Sequence, residues 1–130
     1  MRRVLVTGAN KGIGLAIARG VLAEQRDTFL LLGARDPARG QAALAELLRE
    51  EPSWSERAAV LALDVARSES VAQAARTLTE RFGPGPVLHA LVNNAGIGAG
   101  QGMRAIVEVN TRGVHRVCEA MLPLLDPAAG

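Results

Sequence analysis

The sequence contains no tyrosine, only one tryptophan, two phenylalanines and one cysteine, and its single lysine is Lys11. So few aromatic side chains leave little surface on which nucleic-acid bases could stack. The single cysteine, Cys118, excludes an internal disulfide bond. The formal net charge of +2 comes mainly from arginines spread along the chain rather than gathered in one basic patch. We therefore expect no nucleic-acid binding.

Long hydrophobic runs are also absent. No stretch reaches the roughly 18 consecutive apolar residues of a membrane span, and Met1 to Arg3 lead directly into a short apolar run rather than the longer run of a signal peptide. We therefore expect no membrane association and a cytoplasmic location. The 130 residues are 48% hydrophobic and 22% charged, which predicts a single globular domain over residues 1–130.

Apolar runs typical of strands alternate with helix-like patterns along the whole chain. Each run is followed by a helical pattern, with Asp36 and Ser68 as the expected N-caps of the second and third helices. The last helix should begin near Met103 or Arg104 and run past Pro123. This pattern predicts an α/β fold with a Rossmann-like, doubly wound parallel sheet. The predicted strands are Arg3 to Thr7, Phe29 to Leu32, Ala59 to Leu63 and Val87 to Val92.

A glycine-rich stretch, TGANKGIG from Thr7 to Gly14, joins the first predicted strand to the first helix. Gly8 would allow a tight turn, Gly12 would remove a Cβ where a diphosphate approaches, and Gly14 would let helix and strand pack closely. The helix start offers unpaired N-H groups and the positive end of its dipole to phosphates. A turn without any ligand would use similar glycines, but the strand before and the helix after favour a nucleotide site.

Two motifs in this order resemble the short-chain dehydrogenase/reductase family. They are Thr7-Gly8-x3-Gly12-Ile13-Gly14 after the first strand and Asn93-Asn94-Ala95-Gly96 after the fourth. Within that family, VTGANKGIGLAIARG, ARDPARGQAA, LVNNAGI and RVCEAMLPLL are similar to NADPH-dependent carbonyl reductases. The resemblance covers nearly the whole chain and implies a set of cofactor-binding positions. They are Gly8, Asn10, Lys11, Gly12, Ile13 and Gly14 in the loop, Asp64 and Val65 beside the adenine, and Asn93, Ala95 and Gly96 beside the cofactor.

The charge after the second strand predicts which cofactor is bound. An NAD site places a carboxylate there to accept a hydrogen bond from the ribose 2′-hydroxyl, and this chain has Ala34 instead. Arg35 follows, whose planar guanidinium can hold a 2′-phosphate through two hydrogen bonds, and Lys11 adds a second positive charge. Both could instead be ordinary solvated cations, but their positions favour NADP(H).

The catalytic residues that the resemblance implies are largely missing. The family uses a tyrosine, a lysine four positions later, a serine on the fifth strand and an asparagine in the preceding helix. Only the asparagine has a match, Asn110 in VEVNTRGV, although it could also be a buried residue bonded to backbone. His89 and His115 offer no credible replacement acid, Cys118 is expected to be a packing thiol, and we assign no metal ligand.

Three functional hypotheses follow. The first is the cofactor-binding N-terminal part of a carbonyl reductase, truncated after about four β-α units and inactive alone, whose full-length parent reduces aldehydes, ketones or quinones. Such a chain would leave Val87 to Val92 as an exposed apolar edge open to an oligomer partner. The second is a non-catalytic module that binds NADP(H) or pairs with another subunit. The third is a basic nucleic-acid binder, whose binding would weaken with salt.

Overall fold

Four parallel strands form one sheet in the computed structural model, which describes residues 1–129. The sheet order is β3-β2-β1-β4. All four predicted strands are present, and the predicted Rossmann-like α/β fold is confirmed. The strands are β1 (Arg2–Thr7), β2 (Thr28–Ala34), β3 (Ala58–Ala62) and β4 (Ala90–Val92).

Helices follow each strand, as the apolar spacing predicts. Short 3-10 turns lie at Pro52–Glu56 and Leu122–Leu124, and a π-helical segment occupies Glu108–Gly113. The α-helices are α1 (Gly12–Glu24), α2 (Pro37–Glu50), α3 (Ser68–Phe82), α4 (Met103–Val107) and α5 (Val114–Met121).

Both faces of the sheet are buried, which explains why its central strands are apolar at nearly every position. Alternate residues of a strand point to opposite faces. Leu5 and Leu31 pack with the apolar sides of α3 and α5, whereas Val6 and Leu32 pack with those of α1 and α2. Each side chain of this size that is fully removed from water contributes about 1.5–3 kcal/mol. The two half-cores therefore fix the helices on the two sides of the sheet.

The order in which successive strands are added to the sheet reverses at β1. The chain runs from β1 to β2 and outward to β3, and then returns so that β4 pairs with the other side of β1, with Val6 opposite Val92. In open α/β sheets this reversal opens a crevice at the carboxyl ends of the strands, because the following loops diverge to opposite sides. The carboxyl ends of β1 and β4 flank that point here.

The predicted strand from Val87 to Val92 is shorter than expected. Only Ala90–Val92 pair with β1, while Val87 and Leu88 are buried at 4% and 1% exposure. Leu88 forms a parallel bridge with Leu125, and its carbonyl accepts a hydrogen bond from the Asp126 amide at 2.8 Å. The prediction that Val87 to Val92 form an exposed apolar edge is therefore wrong for Val87 and Leu88, because the chain after α5 folds back over these two residues.

The last predicted helix begins at Met103 as expected but is not continuous. The π-helical segment separates α4 from α5, and α5 ends at Met121, so the prediction that the helix runs past Pro123 is wrong. A π turn contains one more residue than an α turn, a change that apolar spacing does not reveal. Proline lacks the amide N-H that would continue the ladder, and Pro123 lies in the terminal 3-10 turn.

The two predicted helix caps have different outcomes. Asp36 caps α2, because its Oδ1 accepts hydrogen bonds from the amides of Ala38 at 2.9 Å and Arg39 at 3.4 Å. Ser68 does not cap α3, since it is the first helical residue and Arg67 holds the N-cap position. The Ser68 hydroxyl is instead bonded to Arg116. Within residues 1–129, no helix is both long and apolar enough to span a lipid bilayer.

Candidate functional site

A cleft of about 370 Å³ lies at the carboxyl edge of the sheet, at the reversal between β1 and β4. All of the predicted cofactor residues except Asn93 line it. The loops after all four strands contribute to its walls, so residues far apart in sequence meet there. The lining residues are Gly8, Asn10, Lys11, Gly12, Ile13, Gly14, Arg35, Asp36, Arg39, Leu63, Asp64, Val65, Asn94, Ala95, Gly96, Ile97 and Val109.

The glycine loop has the geometry that its spacing predicts. Gly8 has a φ of +62°, and a Cβ there would lie 2.9 Å from the Ala95 Cα. A Cβ on Gly14 would collide with the Gly8 carbonyl oxygen and the Asn94 amide nitrogen. Gly12, with a φ of +55°, has no atom within 4 Å of where its Cβ would stand. Gly8 and Gly14 thus permit close packing, whereas Gly12 faces open space.

The start of α1 opens toward this cleft. Lys11 is the N-cap residue, and within the described residues its side chain makes no capping hydrogen bond, nor does the first turn carry an acidic residue. The first amides of a helix need partners from outside the helix and carry the positive end of its dipole. Because no cap blocks them and Gly12 leaves the approach clear, this turn fits a phosphate group.

A hydrogen-bond network between Thr7 and Asn94 fixes the loop after β1 against the loop after β4. The buried Thr7 hydroxyl accepts from the amides of Asn94 at 3.0 Å and Ala95 at 2.9 Å. The Asn94 side chain donates to the carbonyl oxygens of Thr7 at 3.1 Å and Gly8 at 3.2 Å. Both residues belong to the two sequence motifs, but the motifs do not predict which contacts either side chain makes.

Positive charge collects at the end of the cleft beyond β2. Arg35 and Lys11 line it, as predicted, and both are exposed. Arg39 lines it as well and was missed, although its position in the first turn of α2, three residues after the predicted cap Asp36, was a usable signal. Asp36 caps α2, and its second carboxylate oxygen lies 3.6 Å from the Arg39 Nε. Three cations and one engaged carboxylate therefore make this end attractive to an anion.

The loop after β3 forms another wall. Asp64 shapes this loop: its Oδ1 accepts from the Ala66 amide at 3.0 Å, and its own amide donates to the Ser70 hydroxyl at 2.8 Å. Val65 is 7% exposed and lines the cleft. Besides a contact with adenine, the other possible role of Asp64 is to cap a turn with its carboxylate. The hydrogen bond from the Ala66 amide is a contact of that second kind.

Asn110 and Asn93 both lie outside the cleft lining. The exposed Asn110 side chain accepts from the Ile97 amide at 2.8 Å and donates to the Ile97 carbonyl at 2.9 Å, so it fixes a loop that does line the cleft. The Asn93 side chain donates to the Cys118 Sγ at 3.4 Å. Cys118 is exposed, so the prediction of a packing thiol is wrong: the side of α5 that faces the core carries Val117 and Met121 instead.

A glycine loop at the reversal point of a doubly wound parallel sheet defines the class of Rossmann-like α/β domains. Residues 2–130 match the model of the family described as short chain dehydrogenase, and the chain belongs to that family. The predicted membership is therefore confirmed.

Individual relatives agree with this assignment. The chain is 36% identical over 136 residues to carbonyl reductase 1 of Sus scrofa, whose name specifies NADPH, with 97% of this chain and 44% of the relative covered. It superposes on the menthone neomenthol reductase of Mentha piperita with a TM-score of 0.84 and 28% identity, covering 95% of this chain and 56% of that one. The NADPH-bound carbonyl reductase from chicken fatty liver gives a TM-score of 0.77 and 30% identity, with 95% and 51% covered.

The chain spans about half the length of the curated relatives it matches. Its similarity to them extends over the glycine loop, the sheet and the helices around the cleft. The fold and family are therefore those of short-chain dehydrogenases, and the names of the pig and chicken carbonyl reductases specify NADPH.

Proposed function

We propose that this chain binds NADP(H) in the cleft and is the cofactor-binding part of an oxidoreductase that reduces aldehydes, ketones or quinones. The observation that carries the proposal is the start of α1: a helix whose first turn lacks a side-chain cap opens beside Gly12 into a cleft lined with cations. Sequence similarity to reductases named for NADPH supports the same cofactor.

Each part of the cleft suits a different part of the cofactor. The uncapped amides from Gly12 onward would hold the diphosphate, since they offer hydrogen-bond donors and a positive dipole end. Arg35, Arg39 and Lys11 would hold the 2′-phosphate, because two guanidinium groups and an ammonium supply charge and several donors. Val65 would pack against the adenine. When bound, NADPH supplies the hydride for reduction of a carbonyl group.

The nicotinamide half of the cofactor would lie toward the loop after β4. Ala95 and Gly96 line the cleft there, and the Thr7 to Asn94 network holds this loop at a fixed distance from the glycine loop. Asn110 holds Ile97 through both of its amide atoms. We assign to Asn110 a role in the proton relay, which it would serve by fixing the loop and the π-helical segment.

Reduction of a carbonyl group also requires a proton for the oxygen. No tyrosine is present in the sequence, and its single lysine, Lys11, lies in the cofactor cleft. Neither histidine lines the cleft among the described residues. We therefore propose that the 130 residues bind cofactor but give no turnover without further residues. The cytoplasmic location stays a prediction.

The second candidate is a non-catalytic module that binds NADP(H) or pairs with another subunit. The observation that favours it is the hydrogen-bond network between the loops after β1 and β4, which holds the cleft together through residues of this chain alone. A module of this kind needs the same contacts for binding and no proton donor. Reductase activity of a longer chain that contains these residues would exclude it.

Titration of the purified chain with NADPH and NADH tests the proposal. Enhanced NADPH fluorescence on binding would report the affinity, and calorimetry with NADP⁺ and NAD⁺ would check it. We expect NADPH to bind at least about tenfold more tightly than NADH, because three cations would face the 2′-phosphate. Equal affinity for the two would refute the cofactor assignment, and no affinity for either would refute the proposed function.

A further inference from the structure

Arg116 joins two walls of the cleft without lining it. Its guanidinium donates to the Val65 carbonyl oxygen at 2.6 Å, to the Ser68 hydroxyl at 3.0 Å and to Glu108 Oε1 at 2.6 Å. The side chain is only 20% exposed. One planar group on α5 thus reaches both the loop after β3 and the π-helical segment, and none of the cofactor contacts proposed above uses it.

A second contact holds the same two walls together at the other end of the π-helical segment. Gly113 packs so closely on Val65 that a Cβ at this position would lie 2.9 Å from Val65 Cγ2 and 3.2 Å from the Val65 carbonyl oxygen. The segment is therefore attached to Val65 at both ends, through Glu108 and Arg116 at one end and through Gly113 at the other.

The attached segment carries Asn110, which extends the connection to a third wall. Asn110 is bonded to both backbone groups of Ile97. Val65, Val109 and Ile97 come from three separate parts of the chain, and all three line the cleft. Arg116 is the one group within the described residues that bonds directly to both the loop after β3 and the π-helical segment.

The Glu108 carboxylate forms ion pairs with two arginines, Arg116 and Arg112. Its hydrogen bond with Arg116 is the main reason why the pKa of the carboxyl lies below its ordinary value, and Arg112 adds a smaller effect in the same direction. Arg112 lies 3.3 Å from the other carboxylate oxygen and is 70% exposed. The two arginines thus share one carboxylate, but only Arg116 also reaches the loop after β3.

We propose that Arg116 is a positioning residue that sets the distance between Val65, Val109 and Ile97 and so the width of the cofactor cleft. The inference rests on the proposed function for its effect on NADP(H), but the positioning itself is a property of the free protein. A lysine at this position would not replace it, because its single ammonium cannot bond to three separated acceptors as the guanidinium does.

The test compares Arg116→Lys with Arg112→Lys, which changes the same type of residue on the same carboxylate. Amide chemical shifts of the free protein are measured by two-dimensional NMR, and affinity for NADP⁺ by calorimetry. In Arg116→Lys we expect shifts at Val65, Ala66 and Ile97 and a dissociation constant raised about three- to tenfold. In Arg112→Lys we expect these amides unchanged and affinity within about twofold.

A third variant, Glu108→Gln, provides a second test in case Arg116→Lys does not fold. It leaves the bonds from Arg116 to Val65 and Ser68 in place, so the Ile97 amide should shift while the Val65 amide stays. Shifts confined to residues 108–116, or wild-type affinity in Arg116→Lys, would overturn the inference. If the wild-type chain does not bind NADP⁺, the proposed function fails, and the shifts of the free protein still decide whether Arg116 positions the three walls.

Discussion

The Thr7 hydroxyl and the Asn94 backbone are joined across the sheet reversal, 87 residues apart in sequence, by a hydrogen bond of 3.0 Å. Thr7 is 1% exposed, and the same oxygen accepts from the Ala95 amide. One side chain therefore accepts from two consecutive amides of the loop after β4, of which the Asn94 amide also donates to the Val92 carbonyl oxygen at 3.1 Å. This contact fixes the base of the cleft before any ligand is present.

Replacement of Thr7 by valine should destabilise the fold. The Ala95 amide would lose its acceptor, and the Asn94 amide would keep only the Val92 carbonyl oxygen at 3.1 Å. The volume stays nearly constant, and an amide left unsatisfied away from water costs about 1–3 kcal/mol. We expect Thr7→Val to lower the free energy of unfolding by about 2 kcal/mol in urea denaturation. Thr77→Val is the matched control, because the Thr77 hydroxyl only donates to a carbonyl of its own helix. Equal losses in the two variants would contradict this account.

Replacement of Gly12 and of Gly20 by alanine should change the free energy of unfolding in opposite directions. Gly12 has a positive φ, where a Cβ costs about 1–2 kcal/mol, and its Cβ would point into open space beside the first turn of α1. Gly12→Ala should therefore lower stability and weaken NADPH binding by about tenfold or more. Gly20 lies inside α1 with no atom near its Cβ position.

For Gly20→Ala we expect a gain of about 0.5–1 kcal/mol in the free energy of unfolding, because alanine is the better helix former. NADPH affinity should stay unchanged. Thermal unfolding and fluorescence titration measure the two quantities in parallel. A stabilised Gly12→Ala variant with normal affinity would show that α1 does not begin as described.

Arg35 should set the preference between the two nicotinamide cofactors. In Arg35→Asp, a carboxylate would face the 2′-phosphate and could accept from a 2′-hydroxyl, so the ratio of NADPH to NADH affinity should fall by about tenfold or more. Arg39→Ala should weaken NADPH binding less, because Arg39 also interacts with Asp36. Arg26→Asp, an equal charge change on a loop outside the cleft, should leave the ratio unchanged. The same fall in that control would mean that net charge alone sets affinity.

The contact between α1 and α2 should weaken in acid. Arg19 Nε donates to Glu50 Oε2 and Arg19 Nη2 donates to Glu50 Oε1, both at 2.8 Å. These hydrogen bonds hold the pKa of Glu50 below its ordinary value of 4.5. A carboxyl whose pKa is lowered by folding stabilises the folded state above the unfolded pKa and loses that contribution as pH falls through the folded pKa.

Arg19→Gln should therefore lower the unfolding temperature at pH 6 and have a smaller effect as the pH falls toward 3, because the Glu50 carboxyl becomes protonated as the pH falls through its pKa in the folded protein. Because both side chains are well exposed, the difference should be small and should shrink further in high salt. Calorimetric scans across this pH range measure it. A constant difference between pH 6 and pH 3 would show that packing, not the ion pair, joins the two helices.

Much of the fold could be predicted from local patterns. Continuous apolar runs identified all four strands, and helical spacing identified the three long helices. Both signals are local, because burial of one or two faces of an element requires apolar residues at regular positions in the sequence. The Asp36 cap was found for the same reason, since a cap acts on amides two and three residues away. The Ser68 prediction was one residue out, because Arg67 holds the N-cap position of α3, and the Ser68 hydroxyl accepts from Arg116, which is remote in sequence.

The sequence by itself determined the strand and helix pattern, the glycine loop and the family, all of which depend on short stretches of chain. Only the tertiary structure decided that Arg39 joins Arg35 in the cleft, that the chain after α5 covers Leu88, that Cys118 stays exposed, and that Arg116 reaches Val65. Such contacts depend on the relative positions of separate elements, and those positions follow from packing on both faces of the sheet rather than from any local signal.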